Sequence, residues 1–391
     1  MSQFQAIDVN EYYDTNTFER IKSFAADKPT PFVVIDTQII AKQYDDMVRN
    51  FPYANVYYAV KANPAPEVLS LLRDRGSNFD IASIYELDMV MNLGVTTDRV
   101  SYGNTIKKRK DVREFYARGV RMFASDSEAD LRMLAEEAPG ARIYVRILTE
   151  GTHTADWPLS RKFGCQNEMA YELLVLAKEL GLEPYGISFH VGSQQRDIGA
   201  WDSAIGKVKV IFDRLQEEHD IKLKMINLGG GFPANYLDKT NELEMYAQEI
   251  THFLKDDFGD DLPEIILEPG RSLLSNAGVL VSEVVLISKK SYTALERWVF
   301  TDVGKFSGLI ETMDEAIKFP IYTERQGELD KCVIAGPTCD SADIMYEHYS
   351  YGLPTDLAIG DRMYWLTAGA YTTTYSAVCF NGFPPLKDYY L

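Results

Sequence analysis

The sequence predicts a (β/α)8 barrel, TIM-like in plan, followed by a smaller, mainly β domain. Two observations carry this. Between about residue 55 and residue 270, eight short β-rich runs alternate with helical stretches, and from about residue 277 strand-like runs continue without comparable helices between them. An open doubly wound sheet gives the same alternation; eight repeats over roughly 220 residues favour the closed barrel.

The runs are NVYYAV (55–60), NFDIA (78–82), RVSYG (99–103), RMFAS (121–125), RIYVRI (142–147), GISFHV (186–191), MINLG (225–229) and EIILE (264–268). Each is rich in Val, Ile, Tyr or Phe and is bounded by polar, Gly or Pro residues, the signature of a short strand. Of the helices between them, 66–75 begins with Pro at a first-turn position and sets leucines at 69, 71 and 72. The segment 127–135 opens with Ser-Glu-Ala-Asp, an N-cap followed by acidic first-turn residues. Segments 168–180 and 202–217 carry apolar residues at three- and four-residue spacing. Beyond the barrel, 278–289, 297–301, 331–335, 361–366 and 374–380 read as strands. The run PFVVID (31–36) is strand-like too and can join them. The barrel is therefore expected over 37–276 and the β domain over 1–36 and 277–391.

A length of 391 residues admits two or three domains. Forty Lys and Arg against 58 Asp and Glu leave a formal charge of −18. That balance argues against nucleic acid or an anionic membrane as partner and suits a cationic small molecule. No apolar run is long enough to span a bilayer, and MSQFQAIDVNEYYD lacks the regions of a signal peptide, so a cytoplasmic protein is expected. Cys165, Cys332, Cys339 and Cys379 make no CxxC pair and the five histidines no HExxH spacing. Neither a disulfide framework nor a metal site is expected.

In a barrel, chemistry collects at the C-terminal ends of the strands. Those ends carry Lys61, Asp80, Asn104, Asp126, Arg146, His190, Gly229-Gly230-Gly231, and Glu268 with Arg271. Lys61 follows an apolar strand and precedes Ala-Asn-Pro; a solvated strand end is the plain reading. If its amine lies desolvated over the barrel mouth, its pKa falls and it becomes a nucleophile toward carbonyls. The three glycines form either a tight turn or a backbone cradle for phosphate. Glu268 and Arg271 read alone as a turn with a surface ion pair. Together, a nucleophilic lysine, a phosphate nest and a buried acid suit pyridoxal 5′-phosphate. No Walker motif or GxGxxG is present, so a nucleotide site is the weaker reading.

YAVKAN, FHVGS, GGGFP, EPGR, GPTCDSAD and AGAYT stand in the order found in fold-type III pyridoxal-phosphate decarboxylases, which share the alanine racemase-like fold. GPTCD and FNGF resemble the ornithine decarboxylase branch, including its bacterial lysine/ornithine members. The resemblance runs from about residue 30 to 385. It implies that Lys61 carries the Schiff base, that Glu268 pairs with the pyridine nitrogen, and that His190 stacks on the ring. Ser193, Gly230, Gly231, Gly270, Arg271 and Tyr371 resemble the phosphate-binding set. Asp80 and Arg146 match residues beside the Schiff base; a structural ion pair is their other reading. Cys339, by itself a buried packing cysteine, resembles the acid that reprotonates Cα. Asp314 and Asp340 match the carboxylates that bind the distal amine, and Phe380 a residue of the pocket wall. The family's eukaryotic members carry an aromatic residue beside the acid matched by Asp314, where this chain has Met313.

The resemblance implies decarboxylation of a basic L-amino acid to a diamine, with active sites shared across a homodimer. Diaminopimelate or carboxynorspermidine decarboxylase on the same scaffold, and a non-catalytic regulator of polyamine synthesis, are the alternatives. The long segment 150–166, with little helical pattern, is expected to close over the substrate or to pack on the barrel rim.

Overall fold

A computed structural model of the chain describes residues 4–149, 154–157 and 162–391. It divides into two compact units: Ala41–Pro233 with Asn241–Ser272, and Met1–Ile40 with Ala234–Thr240 and Leu273–Leu391.

In the former, eight parallel strands close into a barrel: Ala54–Ala59, Asn78–Ile81, Val100–Tyr102, Met122–Ser125, Arg142–Arg146, Glu183–Ser188, Met225–Asn227 and Glu264–Leu267. The last pairs with the first, Ile265 opposite Ala54. This closure excludes the open sheet. Seven of the predicted runs contain one of these strands or most of it; GISFHV (186–191) covers only the second half of Glu183–Ser188 and runs on past its end. Tyr57, Met122, Ala124, Tyr144, Met225 and Ile266, drawn from five strands, form one buried cluster that fills the interior. Each large side chain removed from water there contributes about 1.5–3 kcal/mol. The Tyr144 hydroxyl, fully buried among them, is paired with Ser101 Oγ at 2.8 Å.

The helices form where their patterns predict. Pro66–Asp74 buries Val68, Leu69 and Leu72. Gly199–His219 turns a stripe from Ala200 to Leu215 inward and stops at Asp220, which takes the left-handed conformation. Ser127 occupies the N-cap of Glu128–Glu137, although its hydroxyl makes no capping bond. Ser83 does cap, accepting the Glu86 N–H at 3.3 Å at the start of Ile84–Asn92. Within the predicted 150–166 segment, Ala155–Trp157 pairs antiparallel with Ser193–Gln195; residues 150–153 and 158–161 lie outside the described residues.

The other unit is built on an eight-stranded sheet. Its main path runs Ile321–Thr323, Arg362–Trp365, Gly278–Ser288, Arg297–Thr301, Leu329–Ala335, Ile344–Pro354. Phe32–Ile35 pairs with Gly278–Ser288 on one side and with Lys387–Tyr390 on the other. The PFVVID run therefore belongs to this sheet. Its core gathers Phe18, Ile21 and Ala25 from the Thr15–Ala25 helix with Phe32, Val34, Val279 and Val281. One expected strand is absent: 374–380 forms no strand. Short 3-10 turns flank it at Thr373–Tyr375 and Phe380–Gly382, and Cys379 has φ +58°. A left-handed residue reverses the chain and cannot continue an extended run. Among the described residues no helix is long and apolar enough to cross a membrane.

Candidate active site

The Ala54–Ala59 strand ends in a single 3-10 turn, Val60–Ala62, whose middle residue is Lys61. Asn63 shapes the link to the next helix. Its carbonyl accepts the Tyr58 hydroxyl at 2.8 Å and its Oδ1 accepts the Ala65 N–H at 3.0 Å, an Asx turn leading into the helix at Pro66. Lys61 is exposed, in keeping with its plain reading as a solvated strand end and not with a desolvated amine. Its charge is nonetheless felt by Asp80, Glu86, Glu268 and His190.

These groups converge because parallel strands bring all their ends to one rim. Asp80 is held well above the ordinary carboxylate range by burial, and Glu268 nearby adds to this; Lys61 and Arg146 oppose it. Its Oδ1 is buried and has no hydrogen-bond partner. Gly103, at the end of the adjacent Val100–Tyr102 strand, makes room for it: a Cβ at Gly103 would sit 1.9 Å from that oxygen. Burial also raises Glu268, but a hydrogen bond from the Asn227 amide works against it, followed by the charges of Lys61 and Arg146. Of the two acids, Glu268 is thus the better supported as a carboxylate. Burial lowers the Arg146 guanidinium, while Glu268 and Asp80 hold it up. His190 is pushed well below its usual value by burial and by the charges of Arg146 and Lys61. Its Nδ1 accepts the Gly192 N–H at 3.0 Å, which places the proton of the neutral ring on Nε2.

The three glycines are required where they stand. Gly229 (φ +67°) and Gly231 (φ +102°) are left-handed, and a Cβ at Gly229 would lie 2.2 Å from the Phe189 carbonyl oxygen. At Gly230 a Cβ would lie 2.6 Å from the Glu268 carbonyl oxygen and 3.2 Å from His190 Nε2. The Gly229 N–H donates to Asn227 Oδ1 (2.9 Å) and the Gly229 carbonyl accepts the Glu268 N–H (2.8 Å), so cradle and acid are locked together. Arg271 is buried, and its Nε donates to Ser193 Oγ at 3.0 Å. Glu268 to Arg271 is therefore not a surface turn. Gly270 is buried between them in sequence, and the next residue, Ser272, has a buried hydroxyl without a partner. Asn104 and Asp126 serve loops instead: Asn104 donates to the Ala82 carbonyl and Asp126 accepts the Gly164 N–H.

Sequence reasoning missed Asn227 and Glu86. Asn227 closes its strand just before the glycines, and that position was the available signal. Glu86 accepts the Ala82 N–H at 2.6 Å, and burial raises its carboxyl.

In the β unit, Cys339 is exposed, not a packed core cysteine; its N–H donates to Asn381 Oδ1 at 2.9 Å. Asp340 is exposed and accepts the Ala342 N–H at 2.8 Å. Asp343, unremarked in the sequence, is buried and accepts from the Lys305 N–H, the Thr338 N–H and the Thr338 hydroxyl, which fixes the loop before Cys339. Asp314 is exposed with φ +52°. Phe380 packs its ring 5.0 Å from that of Phe306, and half-buried Tyr371 (φ +57°) stacks on Tyr375.

Residues 37–275 match the family described as pyridoxal-dependent decarboxylase, pyridoxal binding domain. The chain belongs to the pyridoxal-dependent decarboxylases. It is 32% identical to the lysine/ornithine decarboxylase of Selenomonas ruminantium over 93% of this chain and 90% of that protein. A crystal structure of the Vibrio vulnificus lysine/ornithine decarboxylase complexed with cadaverine matches with a TM-score of 0.85 and 28% identity, covering 97% of this chain and 99% of the other. The arginine decarboxylase of Paramecium bursaria Chlorella virus matches with a TM-score of 0.86 and 28% identity, over 96% and 100%.

The enzyme is thus a decarboxylase and its cofactor is pyridoxal 5′-phosphate. The residues present fit that group. The orphaned Asp80 Oδ1, a glycine cradle that any Cβ would fill, and a buried guanidinium beside a hydroxyl form a donor and acceptor set suited to a cationic ring and an anionic phosphate.

Proposed function

We propose that the enzyme decarboxylates ornithine, lysine or both to putrescine or cadaverine, a cytoplasmic step of polyamine biosynthesis. The observation that carries this is the pair of exposed carboxylates, Asp314 and Asp340, in a unit that presents Cys339 beside Asp340. Acids suit a substrate whose distal end is an ammonium; a second substrate carboxylate would need a cation there. When bound, pyridoxal phosphate supplies an electron sink for the pair left on Cα as carbon dioxide departs.

The chain does the rest. Lys61 Nζ would anchor the cofactor in the resting enzyme. Glu268, oriented by Asn227, holds a proton at the pyridine nitrogen; a cation there returns its carboxyl to the charged form. His190, kept neutral, covers the ring without adding positive charge. The N–H groups of Gly230, Gly231 and Gly270, with Ser193, Arg271 and Tyr371, bind the phosphate. Asp80 and Arg146 flank the lysine and set the charge around its nitrogen. Cys339 delivers a proton to Cα, Asp314 and Asp340 hold the distal ammonium, and Phe380 lines the pocket. Ornithine and lysine differ by one methylene, worth only about 1–3 kcal/mol of discrimination, so use of both follows readily.

We further propose a homodimer in which each barrel, residues 37–276, is completed by the partner subunit's Cys339 and the partner subunit's Asp340, from the β domain of residues 1–36 and 277–391. Mixing inactive Lys61→Ala and Cys339→Ala chains then restores activity. Roughly half the dimers are mixed and half of their sites are intact, giving roughly a quarter of wild-type turnover. Mixed dimers at parental activity would place the site within one chain. Asp340→Ala should raise KM for ornithine and for lysine, and an unchanged KM for both would put the ammonium elsewhere.

A further inference from the structure

The turn that carries Asp314 is held in an unusual way. After buried Glu311 and Thr312, the chain leaves helical geometry at Met313 (ψ 134°), and Asp314 (φ +52°) and Glu315 (φ +55°) are both left-handed. Two consecutive left-handed residues with side chains persist only where their surroundings impose it.

The constraint comes from a backbone nest on the edge strand Ile344–Pro354. Register along its neighbour moves from Ile334↔Tyr346 to Cys332↔Tyr351, so two steps on one strand face five on the other. This large bulge turns successive N–H groups to the same side, which a regular strand cannot do. The carboxylate of Glu315 accepts three of them: Glu347 N–H at 2.6 Å, His348 N–H at 2.7 Å and Tyr349 N–H at 2.7 Å. The acid thus occupies the exposed edge of the sheet and ties down the turn before it.

We infer that Glu315 is a positioning residue for substrate recognition: seated in the bulge of Ile344–Pro354, it fixes the left-handed turn and so the place of the Asp314 carboxylate. This rests on the reading that Asp314 binds the distal ammonium. Glu315→Gln keeps the shape of the side chain but replaces one acceptor by an amide that cannot receive an N–H.

The test combines amide hydrogen exchange with kinetics on the cofactor-loaded enzyme. In the wild type the amides of Glu347, His348 and Tyr349 exchange slowly although they lie on a sheet edge. In Glu315→Gln they exchange at least about tenfold faster, KM for ornithine and lysine rises about tenfold, and kcat stays within about twofold. In an Asp314→Ala background the same substitution adds no further rise in KM, because its effect passes through Asp314.

Fast exchange in the wild type overturns the clamp. An unchanged KM in Glu315→Gln, or effects of the two substitutions that multiply, overturns the positioning role. Asp314→Ala with unchanged KM, alongside slow wild-type exchange, removes the underlying assignment of Asp314 and the inference with it, while leaving the clamp itself intact. If Glu315→Gln does not fold, wild-type exchange still decides the clamp and Glu315→Asp, too short to span all three amides, carries the kinetic arm.

Discussion

One methyl group at Gly230 should disable cofactor binding. A Cβ there would meet the Glu268 carbonyl oxygen at 2.6 Å, too close by roughly half an ångström or more, and His190 Nε2 at 3.2 Å. The Glu268 backbone cannot easily retreat, because its N–H is bonded to the Gly229 carbonyl at 2.8 Å. Strain therefore falls on the cradle and on the acid together, at about 1–3 kcal/mol for an overpacked site. If the shift also breaks one charge-assisted hydrogen bond to phosphate, about 1.5–3 kcal/mol of binding is lost, or about 10- to 150-fold in cofactor affinity. The assay is titration of apo-protein with pyridoxal phosphate by visible absorbance, alongside thermal melting. Gly206→Ala is the control. Gly206 lies within the Gly199–His219 helix and its Cβ would meet nothing closer than Asp257 Oδ2 at 3.7 Å. That change should stabilise by about 0.5–1 kcal/mol and leave cofactor affinity alone. Wild-type affinity in Gly230→Ala would refute the cradle.

Lys61→Ala should abolish the visible absorbance of the lysine-bound cofactor and nearly all turnover; full turnover would exclude Lys61 as the anchoring amine. Asp80→Asn should make the apo-protein more stable at pH 8 by about 1–3 kcal/mol, since a buried oxygen without a partner no longer has to carry charge. The sign comes from linkage: the folded-state pKa of Asp80 is raised, so its contribution is present in acid and lost as pH rises through that value. The gain should shrink toward about pH 4, and equal melting of both proteins at pH 8 would contradict it. His190 should remain neutral at pH 6 with its proton on Nε2, because its pKa is depressed; an NMR titration with a midpoint at the ordinary histidine value would contradict the environment described for it.

The barrel was legible because each strand is a short apolar run closed by a turn residue; Lys61, His190 and Glu268 lie at or just beyond the ends of their strands and Asp80 one residue before the end of its own. Burial was not legible. Lys61 follows a buried strand and yet is exposed, and Cys339 sits after the buried Cys332–Ala335 stretch and is also exposed, since exposure depends on neighbours distant in sequence. The supporting acids were invisible for the same reason. Glu315 bonds to amides 32 to 34 residues away, so nothing local separates it from the chain's other carboxylates, and Asp343 adds to its local bonds from Thr338 one from Lys305, 38 residues away. Ile344–Pro354 escaped notice as a strand because its bulge breaks the period of two and its sequence includes His, Ser, Gly and Pro. The segment 374–380 misled in the opposite direction, with apolar and β-branched residues in a stretch that Cys379 turns left-handed.

The most direct test of the proposed activity is steady-state decarboxylation of L-ornithine, L-lysine and L-arginine by the cofactor-loaded enzyme, with the products identified. Putrescine is expected from ornithine and cadaverine from lysine, with kcat/KM values for the two within about 200-fold of each other, the most that one methylene can supply. Arginine as the preferred substrate, or carbon dioxide released from none of the three, would contradict the proposed activity.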